Sequence, residues 1–233
     1  MSVKVGLFIT CVNDMLYPGT GIAVTRVLER LGHTVEFPLG QTCCGQMHAN
    51  SGYAELAKPI AEQYVRVFDG YDAIVAPSGS CVAMVRDQYP HLVPGSADVV
   101  ARTYELSELL VDVLGVTDTG ARFPHKVTYH PTCHGLRLLH LGDKPLQLLR
   151  AVRDIELVEL DGANECCGFG GTFALKNSGV STAMLQDKCA NIRRTGADLV
   201  VAADNSCLTH IGGGLSRERT GIRALHYAEV LAA

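Results

Sequence analysis

Glu165-Cys166-Cys167-Gly168-Phe169-Gly170-Gly171 decides the fold, because its core, two adjacent cysteines followed by glycine, occurs once more at Cys43-Cys44-Gly45. A second copy of so rare a tripeptide indicates an internal repeat. The other cysteines follow the same repeat, since matching cysteines of the two halves lie 122 to 126 residues apart. The repeat predicts two similar halves, each with four cysteines: Cys11, Cys43, Cys44 and Cys81 in the first, and Cys133, Cys166, Cys167 and Cys207 in the second.

The composition of the 233-residue chain fits packed domains. Hydrophobic residues make up 47% and charged residues 19% of the sequence, which is enough apolar material for a core. The net charge of −4 and the lack of a long Lys/Arg run argue against a nucleic-acid-binding protein. No apolar run approaches the roughly 20 residues of a membrane span, and the apolar N-terminal stretch is too short for a signal peptide. We therefore expect a cytoplasmic protein, in which cysteines serve as metal ligands or redox groups more often than as disulfides.

Predicted strands and helices alternate in both halves. Strands are predicted at 3–10, 33–39, 72–76, 126–129, 155–160 and 199–203, and helices at 22–31, 53–68, 82–89, 103–114, 146–152 and 182–194, with a turn-rich loop at 13–19. This alternation predicts βαβ units with mostly parallel sheets, hence an α/β protein of two tandem pseudo-symmetric lobes. We expect the lobes at 1–115 and 125–233, joined by a linker at 116–124.

The cysteines follow the predicted strands. In each half, three cysteine-containing loops come after the carboxyl ends of three strands. Those ends share one edge of a parallel sheet, where ligands bind in folds of this class. Each lobe is therefore predicted to bring its four cysteines together in one four-thiolate site.

Four cysteines can hold either a structural zinc ion or an iron–sulfur cluster. Zinc ligands usually come in two close pairs, whereas here the spacings are long and the close pair is directly adjacent. Adjacent cysteines can bind different irons of one cluster, which favours iron–sulfur. The glycine-rich stretches 168–171 and 211–214 are expected to form loops whose N–H groups stabilise anions. Zinc-binding structural protein and thiol–disulfide oxidoreductase remain the alternatives.

The doubled cysteine pattern resembles the cysteine-rich CCG domain family. That family includes the B subunit of heterodisulfide reductase and the iron–sulfur subunits of glycolate oxidase and anaerobic glycerol-3-phosphate dehydrogenase. Four further phrases resemble its lactate utilization protein A branch: Pro77-Ser78-Gly79-Ser80-Cys81, His130-Pro131-Thr132-Cys133-His134, Cys166-Cys167-Gly168-Phe169-Gly170-Gly171-Thr172-Phe173 and Asp204-Asn205-Ser206-Cys207-Leu208.

The resemblance implies a function. It implies that the eight repeated cysteines hold iron–sulfur clusters, expected as 4Fe–4S, and that the chain transfers electrons in a complex oxidising L-lactate to pyruvate. The implied partners are a ferredoxin-type iron–sulfur protein and a third subunit. The sequence contains no G-x-G-x-x-G fingerprint between a strand and a helix, so hydride transfer by a bound nucleotide is not expected.

The chain departs from the fuller family pattern at Ser78 and Asp204. Heterodisulfide-reductase-like members carry a cysteine at these positions, so each site here has four cysteines rather than five. The departure favours a conventional cluster, or one with an oxygen ligand from Asp204, over disulfide-reducing chemistry. Between these roles for Asp204, we favour a turn residue that hydrogen-bonds its own backbone over a metal ligand.

Several other residues are candidates on their positions alone. His130, His134 and His210 lie near the second-lobe cysteines, where a histidine can tune a cluster, bind a carboxylate substrate or relay a proton; each is equally explained as a structural loop histidine. Arg86 and Arg137 can pair with a substrate carboxylate but are expected to be surface charges. Cys189 has no repeat partner and is predicted to be a core thiol. The candidates outside the eight cysteines are thus His130, His134 and His210 for catalysis.

Overall fold

Each half of the chain builds its own parallel sheet. The computed structural model describes residues 2–233, which separate into two compact units, one ending at Val116 and the other spanning Thr117–Ala233. The lobe limits and the 116–124 linker expected from the sequence stay a prediction. Among the described residues, no helix is both long and apolar enough to cross a membrane.

Residues 2–116 contain one sheet of four parallel strands. They are β1 (Lys4–Leu7), β2 (Thr34–Glu36), β3 (Ala73–Ala76) and β4 (Thr103–Glu105). Their order across the sheet is β2-β1-β3-β4. Val5 of β1 lies opposite Val35 on one side and Ala73 on the other. All four residues of β3 are buried, as expected for a parallel strand covered on both faces.

Helices connect and cover these strands. They are α1 (Cys11–Leu16), α2 (Pro18–Arg30), α3 (Gln46–Asn50), α4 (Ala54–Phe68), α5 (Gly79–Leu92), α6 (Ala97–Ala101) and α7 (Leu106–Glu108), which continues as a π-helical turn (Leu109–Val113). Pro18 begins α2, a position where its missing N–H costs nothing. The buried residues Val24, Val27 and Leu28 then give this helix one apolar face toward the core.

Residues 117–233 repeat the arrangement. The strands are β5 (Lys126–His130), β6 (Glu156–Val158), β7 (Leu199–Ala202) and β8 (Arg223–His226), all parallel, in the order β6-β5-β7-β8. The helices are α8 (Cys133–Arg137), α9 (Lys144–Arg150), α10 (Phe173–Lys176), α11 (Ser178–Thr195), α12 (Asn205–Arg217) and α13 (Tyr227–Ala232). The identical strand order confirms the prediction of two tandem α/β lobes with parallel sheets.

The two cores differ in chemistry. In the first lobe Phe8, Tyr64, Phe68 and Tyr89 form an aromatic group, with several ring pairs meeting edge to face at centroid distances such as 4.9 Å between Phe8 and Tyr64. One core cluster of the second lobe is aliphatic and thiol-containing instead, formed by Leu160, Cys167, Cys189, Ile192, Val200, Ile211 and Leu215. The repeat therefore conserves the strand order and the cysteine positions while the packing residues have diverged.

Three local predictions are wrong. Residues 103–105, predicted to begin a helix, form β4, because Thr103, Tyr104 and Glu105 complete the edge of the sheet beside β3. The expected loop at 13–19 is mostly helical, in α1 and the start of α2. The glycine stretch 211–214 lies inside α12 rather than in a loop, so its N–H groups do not form an anion-binding loop. A Cβ on Gly214 would come within 2.8 Å of Cys189 Sγ, so glycine there allows α11 and α12 to pack closely.

Candidate metal centres

The first-lobe site lies where the chain leaves β1, β2 and β3. Cys11 begins α1, Cys43 and Cys44 lie in the loop before α3, and Cys81 is in the first turn of α5. All cysteines are free thiols. The Sγ atoms of Cys11 and Cys43 are 3.6 Å apart, far beyond the ~2.05 Å of a disulfide bond. The predicted convergence of the loops at the carboxyl edge of the sheet is thus present.

Side-chain hydrogen bonds fasten these loops to one another. Gln41 accepts from the Ile9 N–H at 2.9 Å and donates to the Leu7 carbonyl at 3.0 Å, which fixes the second loop to the end of β1. The buried amide of Asn13 donates to the Pro77 carbonyl at 2.9 Å and joins the first loop to the third. Sequence reasoning missed both residues, because a polar side chain in a loop gives no signal of its tertiary partner.

The glycine after each cysteine pair is required by the backbone. Gly45 has a φ of 79° and Gly168 a φ of 89°, in the left-handed region that disfavours other residues. This conformation turns the glycine N–H back onto the first cysteine of the pair, with Gly45 donating to Cys43 Sγ at 3.4 Å and Gly168 to Cys166 Sγ at 3.3 Å. Each lobe therefore provides its pair with a backbone donor that stabilises negative charge on sulfur.

The first-lobe thiols are linked to one another by hydrogen bonds. Cys43 accepts a hydrogen bond from the Cys11 thiol and a second from the Cys44 thiol, and these bonds lower the pKa of Cys43 far below its usual value. The pKa of Cys11 is raised by donating to Cys43 and then by burial. The pKa of Cys44 is raised by its hydrogen bonds with Cys43 and then Cys81, and further by burial. The four sulfurs therefore form one connected group, in which hydrogen bonding favours negative charge at Cys43.

The second-lobe thiols repeat this network. Cys133 begins α8, Cys166 and Cys167 follow β6, and Cys207 is in the first turn of α12. Hydrogen bonds from Cys133 and then Cys167 lower the pKa of Cys166, as at Cys43 in the first lobe. Cys167 is linked to both Cys166 and Cys207, and these bonds together with burial raise its pKa. Each lobe thus brings its predicted four cysteines together.

His130 is the predicted histidine that reaches a cysteine site. It ends β5, is fully buried, and has a ring nitrogen that lies, with the sulfurs of Cys167 and Cys207, in a group whose atoms are all within 4.8 Å of one another. Burial first, and then the charge of Lys188, lower its pKa to about 3. His130 is therefore a neutral imidazole beside two thiols.

The other predicted histidines are less deeply placed. His210 is half-buried in α12, with Nε2 3.3 Å from Ser181 Oγ and its ring against Phe169, and burial lowers its pKa. His134 is half-buried in α8, next to Cys133. Both lie on the elements that carry second-lobe cysteines, so their catalytic roles stay predictions.

Ser78 and Asp204 cap helices. Ser78 precedes α5 and its hydroxyl accepts from the Cys81 N–H at 3.4 Å. Asp204 precedes α12 and its Oδ1 accepts from the Ser206 N–H at 3.0 Å and hydroxyl at 2.6 Å. Both residues thus stabilise the helix that carries the last cysteine of each site, as N-caps do.

Arg86 and Cys189 stabilise the fold and are not part of either cysteine site. Arg86 pairs with Glu108 at 2.8 Å and donates to the Thr103 carbonyl, so it fastens α5 to β4 rather than lying on the surface as expected. Cys189 is fully buried in the second-lobe core. The exposed Arg137 donates weakly to the Asn164 carbonyl, across 3.4 Å.

Sequence reasoning also missed Lys188. This lysine is almost fully buried, and its ammonium donates to the Gly162 carbonyl at 2.6 Å, which holds the loop before the Cys166-Cys167 pair. Burial lowers its pKa. A lysine in mid-helix gives no sequence signal of burial, because lysines usually reach solvent.

The donor sets fit a metal. Four converging cysteine sulfurs per lobe are the ligands that zinc and iron–sulfur clusters use. The clustered cysteines therefore make metal or iron–sulfur binding the chemistry to which both sites are suited.

Comparison with known proteins agrees with this geometry. The model of the CCG family, described as a cysteine-rich domain, matches the chain twice, at residues 5–86 and 127–212. "Lactate utilization protein A" of Geobacillus kaustophilus is 46% identical over 236 residues, covering 98% of each chain. The proteins of that name from Oceanobacillus iheyensis and an Exiguobacterium species are 43% and 47% identical, each covering 98% of this chain and 96% of the relative.

Solved structures are similar to the chain only at a low level. Glutamate racemase RacE1 of Bacillus anthracis aligns with 99% of this chain and 79% of its own, at a TM-score of 0.38 and 11% identity.

Proposed function

Because the chain belongs to the cysteine-rich CCG domain family, and within it to the family of lactate utilization protein A, we propose that it is the iron–sulfur, electron-transferring component of a complex that oxidises L-lactate to pyruvate. The observation that carries the proposal is the doubled four-cysteine group. In each lobe four cysteines from three loops form one connected set of sulfurs, typified by the 3.6 Å between Cys11 and Cys43. The ligands proposed are the eight repeated cysteines.

The chemistry proposed for a bound cluster is one-electron transfer. The protein's own residues prepare for it. The Gly45 and Gly168 N–H groups donate to cysteine sulfurs, and such hydrogen bonds to sulfur are one means by which proteins set a cluster's potential. Cys44 and Cys167 are buried, which limits the access of water to the sites.

Exposed apolar side chains support a multi-component assembly. Large apolar residues on the first lobe are exposed within a few positions of its cysteines, and we call them the apolar rim: Met15, Leu16, Leu39 and Met47. Leu39 is 90% exposed. Contiguous exposed apolar surface marks interaction sites, and the proposal is that these four residues contribute to one. A ferredoxin-type partner that docks at the rim would bring its own cluster close to the first-lobe site, and a third subunit would complete the complex.

The apolar rim has a direct test. In Leu39→Glu, we expect electron transfer to the ferredoxin-type partner to slow about tenfold while the metal content stays unchanged, because a charge is placed at the contact. Val113→Glu is the matched control, since Val113 is also exposed but lies in the π-helical turn after β4. Equal rates in the two variants would contradict docking at the rim.

The electron-transfer role is tested with protein purified without oxygen. L-lactate and the two partner subunits are added, and the visible absorption of this chain is followed. We expect bleaching that depends on lactate and is reduced when Cys167 is replaced by serine. Bleaching by dithionite but never by lactate with partners would refute the lactate role.

A structural zinc protein is the second candidate, and one distance favours it. Two thiolates on one tetrahedral zinc lie about 3.8 Å apart at zinc–sulfur bonds of ~2.3 Å, close to the 3.6 Å between Cys11 and Cys43. Cysteines bound to different irons of a cubane cluster lie farther apart, so those two would have to separate. Zinc present after anaerobic purification and retained after attempted cluster reconstitution would establish this candidate.

A further inference from the structure

The side chain of His130 is buried, and its ring nitrogens make no hydrogen bond within the described residues. It is fully buried at the carboxyl end of β5, and neither Nδ1 nor Nε2 has a hydrogen-bond partner among residues 2–233. Buried polar atoms almost always have partners, and an unpartnered one costs about 1–3 kcal/mol. A ring with two such nitrogens therefore indicates a ligand that completes the site.

The surroundings of the ring point to a metal. A ring nitrogen and the sulfurs of Cys167 and Cys207 all lie within 4.8 Å of one another. Ligand atoms on one tetrahedral ion lie about 3.3–3.8 Å apart at the usual zinc–nitrogen and zinc–sulfur distances. Small side-chain movements would thus place all three atoms on a common ion.

The first lobe has no counterpart to this imidazole. Phe8 stands three residues before Cys11, as His130 stands three residues before Cys133. Phe8 is fully buried and packs edge to face on Tyr64 and Phe68. A phenyl ring fills this position in the apolar core of the first lobe, and no metal can use it. The two otherwise matching sites therefore differ in one donor.

We propose that His130 is a nitrogen ligand of the second-lobe metal, together with Cys167 and Cys207, so that this lobe holds a mixed nitrogen–sulfur site while the first lobe binds through sulfur alone. The inference rests on the metal-binding part of the proposed function. An imidazole suits the role because a ring nitrogen carries a lone pair that it can donate to a metal.

The difference has a consequence for redox behaviour. An imidazole ligand brings no negative charge, whereas a thiolate does, and replacing cysteine by histidine at an iron–sulfur centre raises its reduction potential. If the imidazole takes the place of one of the four thiolates, the second-lobe site is the more readily reduced of the two.

The test compares two substitutions at His130 with a control. His130→Phe copies the first lobe and removes the donor, while His130→Cys keeps a ligand but changes nitrogen to sulfur. His140→Asn is the matched control, because His140 is an exposed histidine of the same lobe whose φ of 52° asparagine tolerates. Each protein is purified without oxygen with ¹⁵N-labelled histidine. Iron and zinc content, pulsed-EPR nitrogen coupling and reduction potentials are then measured, with circular dichroism and the first-lobe signal reporting on folding.

We expect strong histidine–nitrogen coupling in one of two reduced signals of the unmodified protein and of His140→Asn. His130→Phe should lose that coupling while its four cysteines keep the metal, as in the first lobe, and His130→Cys should keep the metal, lose the coupling and have a lower second potential. Two iron signals without nitrogen coupling, or coupling that persists in His130→Phe, would overturn the inference while leaving the electron-transfer proposal intact.

If the purified protein contains zinc and no iron, the electron-transfer proposal fails. X-ray absorption at zinc then tests separately whether His130 is a ligand. Imidazole scattering that is present in the unmodified protein and lost in His130→Phe would support the ligand role. Scattering from sulfur alone would overturn it.

Discussion

Cys11 and Cys43 are 32 positions apart in the sequence, yet their sulfur atoms lie 3.6 Å apart. The reason is topological. β1 and β2 are adjacent parallel strands, so the loops that leave their carboxyl ends meet at one edge of the sheet. Cys81, the last cysteine of the site, follows β3, which is the other strand paired with β1. The parallel order of the strands therefore assembles a four-sulfur site from distant residues, and the second lobe repeats it.

Loss of one buried cysteine should remove the metal of one lobe. Cys44→Ser and Cys167→Ser are each expected to lose about half of the bound metal, because a serine oxygen is a poor substitute for a thiolate on a soft metal. Cys189→Ser serves as the control, since the buried Cys189 thiol donates to the Ile211 carbonyl rather than to a sulfur of the connected group. Metal analysis on anaerobic samples checks this. Equal losses in all three variants would contradict two separate sites.

The glycine of the second cysteine pair should tolerate no side chain. A Cβ on Gly168 would lie 2.6 Å from the Ser181 carbonyl oxygen, and the backbone there has positive φ. Gly168→Ala is expected to lower the free energy of unfolding by about 3 kcal/mol and to release second-lobe metal. Gly171→Ala, also at positive φ but with nothing within 4 Å, should cost only about 1 kcal/mol. Similar urea-unfolding curves for the two variants would show that the close contact is unimportant.

Asp204 should act as a helix cap and not as a metal ligand. Its Oδ1 accepts two hydrogen bonds from Ser206 at the start of α12. Asp204→Asn keeps a capping oxygen, so we expect nearly unchanged stability and full metal content, whereas Asp204→Ala should cost about 1 kcal/mol. Thermal unfolding and metal analysis decide the matter. Metal loss in Asp204→Asn would restore the oxygen-ligand hypothesis.

The Arg86–Glu108 pair should contribute to stability more than surface pairs do. Arg86→Met leaves the nearly buried Glu108 carboxylate uncompensated and the Thr103 carbonyl without its guanidinium donors, so we expect a loss of about 3 kcal/mol. Arg150→Met removes the equally short pair with Asp143, in which both side chains are more than half exposed, and should cost less than about 1 kcal/mol. Chemical denaturation measures both. Equal costs would show that the burial of the Arg86 pair adds nothing.

Most of the fold could be predicted because the repeat and the strand–helix alternation are encoded locally. β4 was missed because Thr103-Tyr104-Glu105 is too short to show a period of two, and it becomes a strand only by pairing with β3. Residues 211–214 were misjudged because three glycines suggest a loop. In α12 they instead allow close packing, as Gly214 does against Cys189.

The cysteine groups could be predicted because their spacing repeats, whereas their supports could not. Asn13, Gln41 and Lys188 act through tertiary hydrogen bonds to backbone carbonyls and N–H groups that are distant in the sequence. The burial of His130 likewise depends on its position at the end of a central strand, which no spacing rule reveals. The sequence therefore shows which cysteines and histidines could bind a metal. Their burial and hydrogen bonds depend on tertiary packing, which the sequence does not show.

The most direct test of the account is the iron, acid-labile sulfide and zinc content of protein purified without oxygen, with a visible spectrum of the same sample. We predict iron and sulfide in near-stoichiometric amounts and a broad absorption that dithionite bleaches. Zinc without sulfide, unchanged after attempted cluster reconstitution, would contradict the electron-transfer account.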